Sequence, residues 1–333
     1  MKRWICGALC GALALGTLGI AGCAKEEARS RYSMTLEYVP ETRTLGGEMT
    51  AEIVNTTDTA RETLGFQLWA NAYREGAKYA PVSELFAPAA YYGGESYGGI
   101  EVTEVTGAAG FRVAGADENI LEVTLAEPLY PDERVSLTMT FTVTLAAVDH
   151  RLGAGENAVT LTGFYPVLCA CGGTQEHVYA DLGDPFVSEC ADYEVVFTLP
   201  DSYRVAHTGT GERTVSDGKA TYHVRAEGVR DFAMVCSERF QVLEGSADGV
   251  PVTYYYLDDA APARTLAAAE QSLAYYSAQF TKYAYPAYAV VETDFPYGGM
   301  EYPMLSMIAN DLREEEIPLV VAHETAHQWW YAM

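Results

Sequence analysis

Val320-Val321-Ala322-His323-Glu324-Thr325-Ala326-His327-Gln328-Trp329-Trp330 is the stretch whose reading decides the fold of this 333-residue chain. On a helix, residues four apart share a face, so His323 and His327 can direct two imidazoles at one ion. Glu324 follows the first of them by one residue. In this pattern it is the general base that takes a proton from a metal-activated water. Imidazole ligands with an open water position suit Zn²⁺. The bland alternative is a helix that carries two histidines by accident. Against it, the chain has six histidines in all and two of them sit here. The preceding run Ile317-Pro318-Leu319-Val320-Val321-Ala322 is apolar enough for a buried helix. Glu314-Glu315-Glu316 place negative charge where that helix should begin.

Just upstream lies Gly298-Gly299-Met300-Glu301-Tyr302-Pro303. The two stretches together resemble the zinc aminopeptidases of the gluzincin clan, the group that includes membrane alanyl aminopeptidase and leukotriene hydrolase. The signatures of that family are a Gly-x-Met-Glu-Asn strand and a His-Glu-x-x-His helix followed by Gln-Trp. Gly298, Met300 and Glu301 match the first; His323, Glu324, His327, Gln328 and Trp329 match the second. The resemblance implies one Zn²⁺ held by His323 and His327, with Glu324 as catalytic base. It implies a substrate-binding strand of Gly298, Gly299, Met300 and Glu301, in which Glu301 holds the free α-amino group of a peptide. The partners it implies are peptides with a free N-terminus. Tyr302 departs from the family's Asn, next to the amine-binding position. The family's third zinc ligand is a Glu on the following helix, and a Tyr further on stabilises the tetrahedral intermediate. None of Gln328 to Met333 is Asp, Glu or His. The chain therefore reads as C-terminally truncated in the zinc helix, and little activity is expected of it alone.

The N-terminus reads as a targeting segment. Lys2 and Arg3 precede an apolar, glycine-rich run that ends in Ile20-Ala21-Gly22-Cys23. Small residues before a cysteine resemble a bacterial lipobox, which implies a signal peptide over 1–22 and a lipid on Cys23. A secretory signal without lipid, or a membrane anchor, are the competing readings; a span would need about 20 strongly apolar residues. Residues 23–31 form a polar tether. The chain is then expected on the extracytoplasmic face of a cell membrane. Net charge is −25, and removing residues 1–22, which carry Lys2 and Arg3 and no acid, takes it to −27. No basic stripe is available for phosphates, so nucleic acid is excluded as a partner. Outside the cytoplasm Cys169, Cys171, Cys190 and Cys236 offer three possible disulfide pairings, but the default reading is ordinary thiols, and Cys169-Ala170-Cys171 lacks the spacing of a zinc pair.

From 32 to 245 the pattern is strand after strand. Met34, Leu36 and Tyr38 alternate with polar neighbours, as do Val135, Leu137, Met139, Phe141 and Val143. Leu45-Gly46-Gly47, Tyr130-Pro131-Asp132 and Ser216-Asp217-Gly218 read as turns. Gly94-Glu95-Ser96-Tyr97-Gly98 fits a nucleophile elbow on paper, but β-like sequence follows where a helix is required, so it reads as a loop. From about 250 the order becomes strand, helix (260–283, with Leu266, Ala269, Leu273, Tyr276 and Phe280 on one stripe), strand, edge strand and zinc helix. The expected fold class is multidomain α+β: an N-terminal all-antiparallel β domain over 32–245, then the start of a thermolysin-like zinc peptidase domain over 250–333. A rival reading from another class is a non-catalytic surface lipoprotein whose β domain binds peptides or a partner.

Overall fold

The computed structural model of the chain describes residues 29–181 and 183–332. The signal segment, Cys23 and most of the tether lie outside the described residues, so those expectations stand apart from the structure. Among the described residues no helix is long and apolar enough to cross a membrane.

A seven-stranded sheet dominates, in the spatial order Thr210–Ser216, Lys219–Val229, Ala191–Pro200, Ser30–Val39, Thr44–Val54, Arg134–Thr144 and Gly99–Thr106. Its alternation is the one legible in the sequence: Tyr32, Met34, Leu36 and Tyr38 are buried while their polar neighbours are exposed or half-buried. Two four-stranded sheets pack with it around one large core that includes Leu36, Met49, Phe66, Phe141, Phe164 and Phe197.

Two sequence expectations are corrected here. The β region is not all antiparallel, because Ser30–Val39 runs parallel to Ala191–Pro200. A tight hairpin forces antiparallel pairing, but these strands are joined by a long excursion that leaves both directions open. The register places Tyr32 opposite Tyr193, and their rings stack at 5.1 Å, an arrangement worth about 0.5–1.5 kcal/mol beyond its buried area. Leu45-Gly46-Gly47 is not a turn but lies within the strand Thr44–Val54, and the chain reverses at Pro40–Arg43. A Cβ on Gly47 would lie 2.5 Å from both the Leu36 side chain and the Thr35 carbonyl, so this glycine serves close strand approach.

The C-terminal sheet has five strands in the order Gln241–Ala247, Val250–Tyr256, Tyr288–Thr293, Leu305–Ala309 and Gly299–Tyr302. Gln241–Ala247, most of which falls inside the span read as β domain, pairs with Val250–Tyr256 and so belongs to this sheet. The long helix Pro262–Gln279 is the crossover between the parallel strands Val250–Tyr256 and Tyr288–Thr293. It ends at Gln279, which leaves Phe280 58% exposed instead of on the core stripe. Alternate residues of the sheet feed two cores. Val252, Tyr254, Tyr288, Val290 and Ile308 face the helices with Leu273 and Val321. Val291, Met300, Tyr302, Leu305 and Met307 face the β region with Val235 and Phe240. Asp294 closes the seam between the two regions: its carboxylate accepts from the backbone N–H groups of Asn157 (2.7 Å) and Ala158 (3.0 Å) and from the Asn310 amide (2.8 Å).

Candidate metal and substrate site

The site helix spans Ile317–Ala326, with Pro318 in its first turn, where a missing N–H costs nothing. The acids before it are ion-paired: Glu314 with Arg264 at 3.2 Å and Glu315 with Arg313 at 3.1 Å. His327 closes the helix with helical backbone angles (φ −62°, ψ −16°), so it still shares a face with His323. The helix is braced to the sheet beneath by buried hydroxyls. The Thr325 hydroxyl lies 2.6 Å from the Val321 carbonyl and 2.9 Å from the Tyr288 hydroxyl, which in turn lies 2.8 Å from the Ser306 hydroxyl.

The opposing strand is an edge hairpin. Gly298 has φ +85°, which favours glycine, and its carbonyl accepts from Ala309 N–H at 2.8 Å. Strand alternation then turns Gly299 and Glu301 towards the helix and buries Met300 and Tyr302 on the other side. A Cβ on Gly299 would lie 2.3 Å from Oε1 of Glu324, so the absence of a side chain there lets the Glu324 carboxylate lie on the strand.

The Nε2 atoms of His323 and His327 are 3.2 Å apart, with the rings nearly perpendicular at 86°. Two imidazole nitrogens on one tetrahedral zinc, with bonds of about 2.0–2.1 Å, are about 3.3 Å apart, so the pair has the span that zinc requires. Glu324 is buried, and its Oε2 has no hydrogen-bond partner. Burial first, and the Glu301 carboxylate second, push its carboxyl up to about 8. A positive charge at this place would reverse that shift, and an orphaned carboxylate oxygen beside two converging imidazoles suits a cation with its water. Potential ligand atoms of Glu301, Glu324 and His327 also lie within 4.8 Å of one another, which makes a second, carboxylate-rich donor set in the same place.

These residues line one cavity of about 540 Å³ together with Gly298, Gly299 and Met300. All the metal, catalytic and substrate-strand candidates therefore meet in one place. The far wall comes from the β region, and the sequence reading missed it. His150, Arg151, Tyr179 and Asp184 line that side. Arg151 donates to Asp184 at 2.8 Å and to the Gly183 carbonyl at 3.0 Å. His150 is buried against the Tyr73 hydroxyl at 2.7 Å, and burial, with the neighbouring Arg151 charge, lowers its pKa to about 3, so it is a neutral ring in the wall. Ser96 of the false nucleophile elbow accepts from the Ala147 N–H at 2.8 Å and has a structural role. All four cysteines in the described residues are free thiols.

No protein-family model matches the sequence, and no match is found among curated proteins. Solved structures do match. The M1 zinc metallopeptidase from Deinococcus radiodurans superposes with a TM-score of 0.62 at 16% identity, over 92% of this chain and 65% of that one. A point mutant of an M1 zinc metallopeptidase from Deinococcus radiodurans, bound to a Tyr-Ser-Ala substrate, gives 0.60 at 18% identity, over 91% and 64%. The chain thus spans about 65% of the length of the structures it matches. At these identities the likeness is one of fold: a mostly β chain of several sheets, matching the N-terminal region of an M1 zinc metallopeptidase.

Proposed function

We propose that the chain carries the amine-binding strand, the catalytic base and two zinc ligands of an aminopeptidase of the gluzincin type, acting on peptides with a free N-terminus. The observation that carries this reading is the 3.2 Å convergence of His323 and His327 in the same cavity as Glu324 and Glu301. When bound, zinc would supply Lewis acidity that makes water nucleophilic near neutral pH. Glu301 accepts hydrogen bonds from the substrate ammonium, and the backbone of Gly298–Met300 lines its approach. Glu324 takes a proton from the attacking water at its unpaired Oε2 and returns it to the leaving amine.

The imidazoles are the two zinc ligands of this reading; Glu301 and Glu324, the carboxylates beside them, have other roles in it, which leaves the third, carboxylate ligand of the family without a counterpart among the described residues. Each missing ligand lowers affinity and leaves a position to water, so weak zinc retention and slow turnover are expected of the chain as given. A thermolysin-like layout of residues 250–333, and a lipid on Cys23 that holds the protein on the extracytoplasmic face of the membrane, belong to the same proposal. The test is hydrolysis of leucine p-nitroanilide and its N-acetyl derivative with zinc supplied. Slow cleavage of the free amine alone, rising when a continuation provides the downstream Glu and Tyr, is expected. Cleavage of both substrates, or of neither by the extended protein, contradicts the proposal.

A further inference from the structure

The Glu301 side chain has no hydrogen-bond partner among the described residues, so its place in the cavity is set by the backbone of its strand, which pairs with Leu305–Ala309. That backbone is held through the next residue. Tyr302 is 1% exposed, and its hydroxyl donates to Oγ1 of Thr162 at 3.0 Å. Thr162, equally buried, donates its own proton to the Arg151 carbonyl at 2.8 Å. A carbonyl can only accept and a hydroxyl has one proton, so the order Tyr302 to Thr162 to Arg151 is fixed. Arg151 then reaches into the cavity wall through its pair with Asp184. The turn after Tyr302 is fixed as well. Met304 has φ +64° and buries its side chain in the core of the β region. Gln328, fully buried, accepts from Met304 N–H at 2.8 Å and donates to the Tyr302 carbonyl at 2.9 Å. A non-glycine residue in the left-handed region persists only where its surroundings over-determine it.

We infer that Tyr302 and Thr162 are positioning residues, whose buried hydrogen bond sets the distance between the Glu301 strand and the Arg151–Asp184 wall and so presents Glu301 to the substrate amine. A phenylalanine would fill the same ring volume; what tyrosine adds is a hydroxyl with one partner across the seam between the two regions. The inference rests on the reading of Glu301 as the amine-binding residue.

Calorimetric titration of the zinc-supplemented chain with L-leucinamide and N-acetyl-L-leucinamide tests it. Tyr302→Phe weakens leucinamide binding about five- to tenfold, the scale of one buried hydrogen bond. Zinc content and melting temperature stay close to those of the parent. Thr162→Val, which loses the Arg151 bond as well and leaves the Tyr302 hydroxyl unpaired, weakens leucinamide binding at least as much; Thr162→Ser retains the parent affinity, and the double variant is no weaker than Thr162→Val, because the Tyr302–Thr162 link is already gone in that variant. Parent-like leucinamide affinity in Tyr302→Phe overturns the inference. If that variant does not fold, equal affinities for Thr162→Val and Thr162→Ser overturn it. Equal binding of the acetylated ligand by the parent chain, or undiminished leucinamide binding by Glu301→Ala, sinks the amine reading itself and the inference with it.

Discussion

Ser30–Val39 of the seven-stranded sheet and Leu305–Ala309 of the five-stranded sheet are buried in different ways. Ser30–Val39 alternates, with one face in the core and one toward solvent. Leu305–Ala309 is buried at every position, because helices cover one face and the β region covers the other. A half-buried strand is a wall; a strand buried on both faces is a fixed reference. The candidate site hangs from the edge of the second kind, on the hairpin Gly299–Tyr302 beside Leu305–Ala309, with the site helix packed over both. Side chains aimed at one ion need placement to within a fraction of an ångström, and a doubly covered strand beside them supplies it.

The sharpest way to break this contrast is in the chemistry. In a protein extended to supply the third ligand, Glu324→Gln is expected to cut turnover by about 10²–10⁴-fold, the range of a general base, while zinc stays bound. Loss of zinc in that variant would make Glu324 a ligand. Next comes a pair of core truncations. Phe141→Ala, deep in the β region, should cost about 3–5 kcal/mol, and Leu305→Ala about 2–5 kcal/mol. In urea titrations the two should look alike. Zinc retention by the folded protein should fall for Leu305→Ala alone, since that position backs the site; equal retention would mean that the doubly buried sheet is not its support.

The smallest effect is expected at the seam. Burial, together with the nearby Asp294 and Glu156 carboxylates, pushes the Asp149 carboxyl up to about 7 from an ordinary value of 3.8. The folded state therefore keeps this proton to higher pH than the unfolded chain does. The stability it contributes is full below about pH 4 and is lost as pH climbs through 7. Asp149→Asn keeps an acceptor for the Glu156 N–H, which Asp149 now binds at 2.8 Å. The variant should gain on the parent between pH 5 and pH 8 in urea midpoint. A gap that does not change with pH would contradict this.

Much of this was legible from local pattern. The alternation of residues 34–38 and 135–143 marks strands that are half-buried. The four-residue histidine spacing marks the helix face, because a helix converts spacing directly into direction. What escaped was tertiary. Two-residue strands such as Gly153–Ala154 and Val167–Leu168 are too short to show a period. The parallel pairing of Tyr32 with Tyr193 joins residues that no local rule connects. Gly47 carries turn chemistry but serves strand approach, which only the neighbouring Leu36 and Thr35 explain. The Arg151–Asp184 wall becomes part of the site only when the β region folds over the hairpin. Tyr302, which departs from the motif that its stretch of sequence resembles, has a legible reason once Thr162 is seen across the seam.

Two donor sets compete for a metal in this cavity: the paired imidazoles of His323 and His327, and the group of Glu301, Glu324 and His327. Zinc content measured at equilibrium with buffered zinc, for the parent chain and for His323→Ala, Glu301→Gln and Glu324→Gln, separates them most directly. The account predicts that His323→Ala loses zinc and that both glutamine variants keep the parent's level. Retention by His323→Ala, with loss from Glu301→Gln and Glu324→Gln, would place the metal among the carboxylates and contradict the account.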